Sequence, residues 1–151
     1  HDGAIIIDST GIIEYLDEVF PEPPLLPSAP RARARVRAIA QAIACEIHPL
    51  NNLRVLGTLK SQFGADDAAV AEWYRHWIVE GFTALEAMAP ETGLFGGAHP
   101  NLADVCLVPQ MANARRFETP LEAFPKLVRI DAALREMEAF AKAAPEAVKP
   151  E

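Results

Sequence analysis

Apolar residues return at every third or fourth position along most of this chain, the spacing of helices buried on one face. The strongest such stripe is Val70, Trp73, Trp77, Phe82, Leu85 and Met88, opened by Asp66 as an N-terminal cap. Its tryptophans read as core. A second helix starts at Asn101, whose side chain can accept a first-turn amide while Asp104, three residues on, reaches back to the Asn101 N–H. Leu102, Val105, Val108 and Ala112 then repeat at helical spacing and predict its buried side. Leu127, Ile130, Leu134 and Met137 stripe a last helix ending near Ala144 and Pro145, with a charged tail beyond. Upstream, Val36, Ile39, Ala40, Ile43 and Ile47 keep the same period until Pro49, which removes a backbone hydrogen bond and should kink the helix before Leu50 to Phe63 carries on.

The start of the chain has a different texture. Ala4 to Asp8 is a short β-branched run behind the turn pair Asp2-Gly3, and it predicts a strand preceded by a hairpin turn. Ser9 then caps a helix with Ile12, Ile13, Leu16 and Phe20 on one side. Pro21, Pro23, Pro24, Pro27 and Pro30 lack amide donors and hold the backbone extended, so residues 21–30 read as a linker. The expected organisation is a strand–helix unit over 1–20, the proline-rich linker over 21–30, and an all-helical bundle over 31–151. The fold class is mostly α.

Half of the residues are hydrophobic, the composition of a globular domain, and the formal net charge is −7. Arg31, Arg33, Arg35 and Arg37 are spaced by two, so on a helix they spread around more than half the circumference, and no aromatics interleave with them. No nucleic-acid partner is expected. No apolar run approaches the roughly 18 residues that cross a bilayer, and no signal segment opens the chain, so no membrane association and a cytoplasmic location are expected. Cys45 and Cys106 fit no zinc or C-x-x-C spacing and read as free, packed thiols in a reducing compartment. Gly93, Gly96 and Gly97 match no phosphate-cradling motif, and His76 and His99 read as structural.

Three places carry candidate chemistry. Asp8 and Ser9 put a carboxylate, a hydroxyl and free amides at one helix N-terminus, a combination suited to an α-amino-acid head group. His48, Asn52 and Arg54 surround Pro49, with His48 and Asn52 on one face if the turn stays near helical. Arg115 and Arg116 end the helix that begins at Asn101 and invite an anion. No Ser-His-Asp order and no H-E-x-x-H motif is present, so no metal site and no independent catalytic group are expected.

Asn101-Leu-Ala-Asp-Val-Cys-Leu-Val-Pro-Gln110, with Ala112-Asn-Ala-Arg-Arg-Phe117 behind it, resembles the core helix of the helical domain of cytosolic glutathione transferases. The tail from Val108 to Phe117 resembles the zeta class, the maleylacetoacetate and maleylpyruvate isomerases, in particular. Asp8-Ser-Thr-Gly-Ile-Ile-Glu-Tyr-Leu16 is similar to the segment that closes the thioredoxin-like half of these enzymes, and Cys45-Glu-Ile-His-Pro-Leu-Asn-Asn52 to a turn of the zeta isomerases. Zeta enzymes usually carry Gln where Asp8 stands.

The resemblance implies that residues 1–20 are the last strand and helix of the thioredoxin-like glutathione-binding domain. The residue that activates the thiol, Ser or Cys, is then expected in an N-terminal portion not contained in this chain, which begins at His1 without Met. It implies glutathione as cofactor, a homodimer formed partly by the helices around Pro49, and a dicarboxylate substrate. Isomerisation would proceed by addition of glutathione beside the cis double bond, rotation about the resulting single bond, and elimination. Asp8 and Ser9 would hold the tripeptide, while Arg116 and Arg54, with His48 and Asn52 near them, would hold the diacid. Arg116 is expected to project into the cavity that Ser9 borders, and Arg115 to lie on the surface. The alternatives are a general transferase that conjugates electrophiles and a non-catalytic helical interaction module.

Overall fold

The computed structural model describes residues 1–148; the charged tail at Lys149 to Glu151 lies outside them. Seven α-helices follow one another among the described residues: α1 Ser9–Val19, α2 Pro30–Gln41, α3 Leu53–Phe63, α4 Asp67–Met88, α5 Leu102–Arg116, α6 Pro125–Arg135 and α7 Glu138–Ala143. The predicted strand at Ala4 to Asp8 is not formed, and no sheet exists among the described residues. A strand needs a neighbour to complete its ladder, and residues 4–7 have none here, so Ile5 and Ile7 stand 91% and 78% exposed despite their β propensity. The predicted apolar side of α1 is largely uncovered: Ile12, Leu16 and Phe20 are exposed and no residue of α1 is fully buried, although Ile13 packs half-buried against the core.

α5 is the centre of the bundle, packed against α2 on one side and α6 on the other. A helix flanked on two sides needs a wide buried face, and α5 buries Leu102, Ala103, Asp104, Leu107, Gln110, Met111 and Ala114. The predicted stripe is therefore out of phase: Leu102 is buried, but Val105 and Val108 are only half-buried and Ala112 is exposed. The predicted capping box is present, with Asn101 Oδ1 accepting from the Ala103 and Asp104 amides and Asp104 Oδ2 from the Asn101 amide. Asp104, fully buried, also accepts from the Phe95 and Gly96 amides at 3.0 and 2.9 Å. One carboxylate thus fastens the glycine loop to the start of α5.

α4 is capped by Asp66 as predicted, its side chain accepting from the Ala69 amide. The buried line on α4 is Val70, Tyr74, Ile78, Phe82 and Leu85: it keeps Val70, Phe82 and Leu85 of the predicted stripe and moves one residue round, to Tyr74 and Ile78, at the two tryptophan positions. Trp73 and Trp77 sit half-buried at its edge, ring centroids 5.5 Å apart in an edge contact. Gly81 brings α4 close to Ile47: a Cβ there would fall 2.3 Å from Ile47 Cδ1, and Ile47 is fully buried. Pro49 does more than kink a helix. α2 loosens into a π turn over Ala42–Ile47, tightens into a 3₁₀ turn over His48–Asn51, and stops; Asn52, in extended conformation, then caps a separate α3. The predicted last helix is likewise two, α6 and α7, with Met137 extended between them.

The proline segment is sewn down at Leu25, whose amide donates to Asp17 Oδ1 at 2.6 Å and whose carbonyl accepts from the Leu102 amide at 3.0 Å. Two of the α2 arginines are engaged: Arg33 donates to the Pro27 carbonyl and Arg37 pairs with Glu14.

Candidate active site

At the start of α1 the cap is Asp8, not Ser9. Asp8 adopts φ 71°, uncommon for a residue with a Cβ, and its Oδ1 accepts from Thr10 Oγ1 at 2.6 Å and from the Thr10 amide at 3.1 Å. The bond from the Thr10 hydroxyl, then those from the Thr10 and Gly11 amides, hold the Asp8 carboxyl below its ordinary range. Both Thr10 bonds fall on Oδ1. Ser9 follows, exposed, with the first amides of the helix. α1 is anchored to α2 by a two-pronged ion pair, Arg37 Nε and Nη2 donating to Glu14 Oε1 and Oε2 at 2.8 and 2.9 Å. Beside that pair lies a cavity of about 200 Å³ lined by Thr10, Gly11, Gln41 and Leu102.

The break after α2 presents His48, exposed, and Asn52, half-buried. Because the backbone turns extended at Asn52, the two do not share a helical face, and Asn52 Oδ1 is committed to the Arg54 amide at 3.1 Å. Arg54 stands exposed in the first turn of α3, where no acidic residue offsets the positive end of the helix. At the far end of α5, Arg116 is exposed with its Cζ 5.7 Å from the centre of the Phe117 ring. Among the described residues the ion pairs involve Arg37, Lys60, Arg115, Lys126 and Lys142, and neither Arg54 nor Arg116 takes part. Arg115 is not a mere surface residue: it pairs with Asp131 of α6, which is fully buried.

Arg116 does not enter the cavity beside α1. Leu102, which lines that cavity, and Arg116 are separated by the length of α5, about 20 Å at 1.5 Å per residue. A wider groove of about 670 Å³ between the proline segment, α2 and the end of α4 contains none of the sequence-predicted site residues. The structure therefore brings together Asp8 and Ser9 at one end and sets Arg116 apart from the cavity beside them. Two residues absent from the sequence reading also stand near Arg116. The Tyr74 ring stacks on Phe117, centroids 3.5 Å apart and planes 8° from parallel, and Arg75 donates to the Phe117 carbonyl at 3.3 Å. Burial pushes the Tyr74 hydroxyl up, and the Arg116 charge partly opposes it. In the sequence Trp73, Tyr74 and Arg75 are consecutive, and a hydrophobic period registers only the tryptophan.

No protein-family profile matches the chain. Known proteins and structures do. A maleylpyruvate isomerase of a Ralstonia species is 46% identical over 147 residues, 95% of this chain and 69% of that protein. The holo structure of a maleylpyruvate isomerase, a bacterial zeta-class glutathione S-transferase, superposes with a TM-score of 0.95 at 45% identity, covering 99% of this chain and 72% of the other. The chain belongs to the zeta-class glutathione transferases, the maleylpyruvate and maleylacetoacetate isomerases. The maleylacetoacetate isomerase of Anaeromyxobacter dehalogenans, with dicarboxyethyl glutathione and citrate bound in its active site, superposes at a TM-score of 0.91 and 37% identity, over the whole of this chain and 69% of that one. In this zeta-class chain the segment that carried the resemblance, Asn101 to Gln110, is the first half of the most deeply packed helix.

Proposed function

We propose that this chain carries the diacid-binding half, and one edge of the glutathione-binding half, of a glutathione-dependent cis–trans isomerase of maleylpyruvate or maleylacetoacetate. The observation that carries the residue roles is the pair Arg54 and Arg116, two exposed guanidinium groups without carboxylate partners in a protein of net charge −7. An acidic chain repels a dianion, and local unpaired arginines reverse that. A guanidinium binds both oxygens of a carboxylate, so two of them can fix a dicarboxylate and oppose the negative charge that develops when a nucleophile adds to it.

The residues at α1 fit the amino-acid end of glutathione. Asp8, kept ionised and with Oδ2 free of its Thr10 bonds, accepts from an ammonium, while the Ser9 hydroxyl and first-turn amides suit a carboxylate. Bound glutathione supplies a thiol that adds beside the cis double bond and leaves again. An extended tripeptide spans roughly 10 Å and glutathione carries its thiol on the middle residue, so a diacid added there lengthens the bound molecule from α1 toward the far end of α5. The dicarboxyethyl glutathione of the Anaeromyxobacter isomerase is such a molecule. His48 and the Asn52 amide group border the diacid end.

In this reading residues 1–20 belong to the thioredoxin-like domain, 21–30 are the linker and 31–151 form the helical domain. The enzyme is a homodimer, supported by Leu53 and Phe63 of α3, which leave large apolar side chains in solvent. It works in the cytoplasm: no described helix is long and apolar enough to cross a membrane, and two unpaired cysteines suit a reducing compartment. Cys45 is exposed, however, and only Cys106 is packed. The test is an assay of the full-length protein that contains this sequence. Maleylpyruvate isomerisation strictly dependent on glutathione, outpacing conjugation of a chloro-aromatic, is expected; conjugation without isomerisation would replace the reading with that of a general transferase, and neither activity would leave a binding module.

A further inference from the structure

We infer that one turn of α4, Trp73 to Arg75, is the positioning device that sets the separation of the two diacid-binding segments; the inference rests on the function proposed above. The turn at His48–Asn51 packs chiefly on its own flanking segments and on α4. On that side Trp73 Nε1 donates to the Leu50 carbonyl at 2.9 Å, and Asn51, buried, donates through Nδ2 to the Tyr74 carbonyl at 3.2 Å. Leu50 and Asn51 immediately precede Asn52, which caps the helix carrying Arg54. On the other side the same turn holds the end of α5: the Tyr74 ring lies flat on Phe117, and Arg75 Nη1 donates to the Phe117 carbonyl. Phe117 is the residue next to Arg116, and its ring lies beside the Arg116 guanidinium.

Three consecutive residues therefore grip both segments with directional contacts. Two arginines that clamp one dicarboxylate must keep the spacing of its carboxylates, and a displacement of about 1 Å in such a clamp can cost on the order of a hundredfold in rate. None of the three α4 side chains needs to touch substrate for this. Trp73 and Arg75 spend their donors on backbone carbonyls of the two segments, which fixes main-chain position more directly than a side-chain contact would.

The test uses the full-length protein with three variants. Trp73→Phe removes the Nε1–H and keeps a ring; Tyr74→Leu removes the stack; Tyr74→Phe keeps it. Trp73→Phe and Tyr74→Leu are expected to lower kcat/KM for maleylpyruvate about 10- to 100-fold and to weaken malonate binding by calorimetry, with glutathione affinity held within about twofold. Tyr74→Phe should match the parent. In an Arg116→Ala background, Tyr74→Leu should add little, because it acts through Arg116. Should Tyr74→Leu fail to fold, Trp73→Phe carries the comparison. Unchanged diacid kinetics, an equal loss of glutathione affinity, or full additivity with Arg116→Ala overturns the inference while leaving the isomerase intact. A parent protein without isomerase activity would overturn the functional reading first.

Discussion

Replacing Asp104 by Ala removes the acceptor shared by three amides, those of Phe95, Gly96 and Asn101, all within 3.0 Å of a fully buried carboxylate. Bonds to a charged acceptor are worth at least about 1.5 kcal/mol each, so their loss together approaches about 4.5 kcal/mol. Part is returned, because burial holds this carboxyl above its ordinary range against the lowering effect of the three amides, and its removal relieves that cost. A net loss of about 3 kcal/mol remains. Asp104→Asn should rescue only part of it: with its oxygen toward Gly96 and Asn101 it keeps two of the bonds, and its amide nitrogen then faces the Phe95 donor. Gly96 also lets the backbone approach closely here: a Cβ there would lie 2.0 Å from the His99 carbonyl oxygen. Urea unfolding of the full-length protein gives the stability change, and hydrogen exchange at residues 95, 96 and 101 locates it. A loss under about 1 kcal/mol, or exchange that rises elsewhere but not at those amides, would refute the accounting.

Arg116→Ala should lower kcat/KM for the diacid about a hundredfold or more while sparing glutathione affinity, and Asp8→Ala should do the reverse, as steady-state kinetics and calorimetry would reveal. Gly81→Ala should cost about 1–3 kcal/mol by driving a methyl into Ile47, and adding Ile47→Val should recover part of it in thermal unfolding; equal stability of all three proteins would exclude the clash. Glu14 is held below its ordinary value of 4.5 by the bond from Arg37, so its contribution to docking α1 is present above that value and lost as pH falls through the lower folded one. Both partners are more than a third exposed, so the effect should stay under about 1 kcal/mol. Glu14→Gln should flatten the acid limb of the stability profile. Burial pushes the Cys106 thiol up to about 11, so at mildly alkaline pH a disulfide reagent should modify the exposed Cys45 well before Cys106, as peptide mapping would show.

Local chemistry was legible in the sequence and long-range partners were not. The Asn101–Asp104 box and the Asp66 cap depend on residues three apart, and both formed as read. The phase of each buried face depends on which neighbours arrive, and there composition misled: Trp73 and Trp77 look like core, yet Tyr74 and Ile78 face it. The buried side of α5 includes Asp104 and Gln110, polar residues that no hydrophobic pattern would nominate. Ser9 has the right chemistry for a cap, but the backbone at Asp8 turns early and Asp8 takes the role. Arg115 and Arg116 are indistinguishable in one dimension; Asp131, sixteen residues from Arg115, claims one and leaves the other free. The strand at Ala4 to Asp8 failed because β structure is a property of pairs. Family identity came through motif resemblance, while the separation between α1 and Arg116 needed coordinates.

The two tryptophans of this chain stand one turn apart on α4, and the indole of Trp73 is tied to the carbonyl of Leu50. The Trp73 indole is thus a native optical probe set against the segment that leads into Arg54. Titrating a dicarboxylate into the protein while following the indole emission would test the proposed clamp without a label.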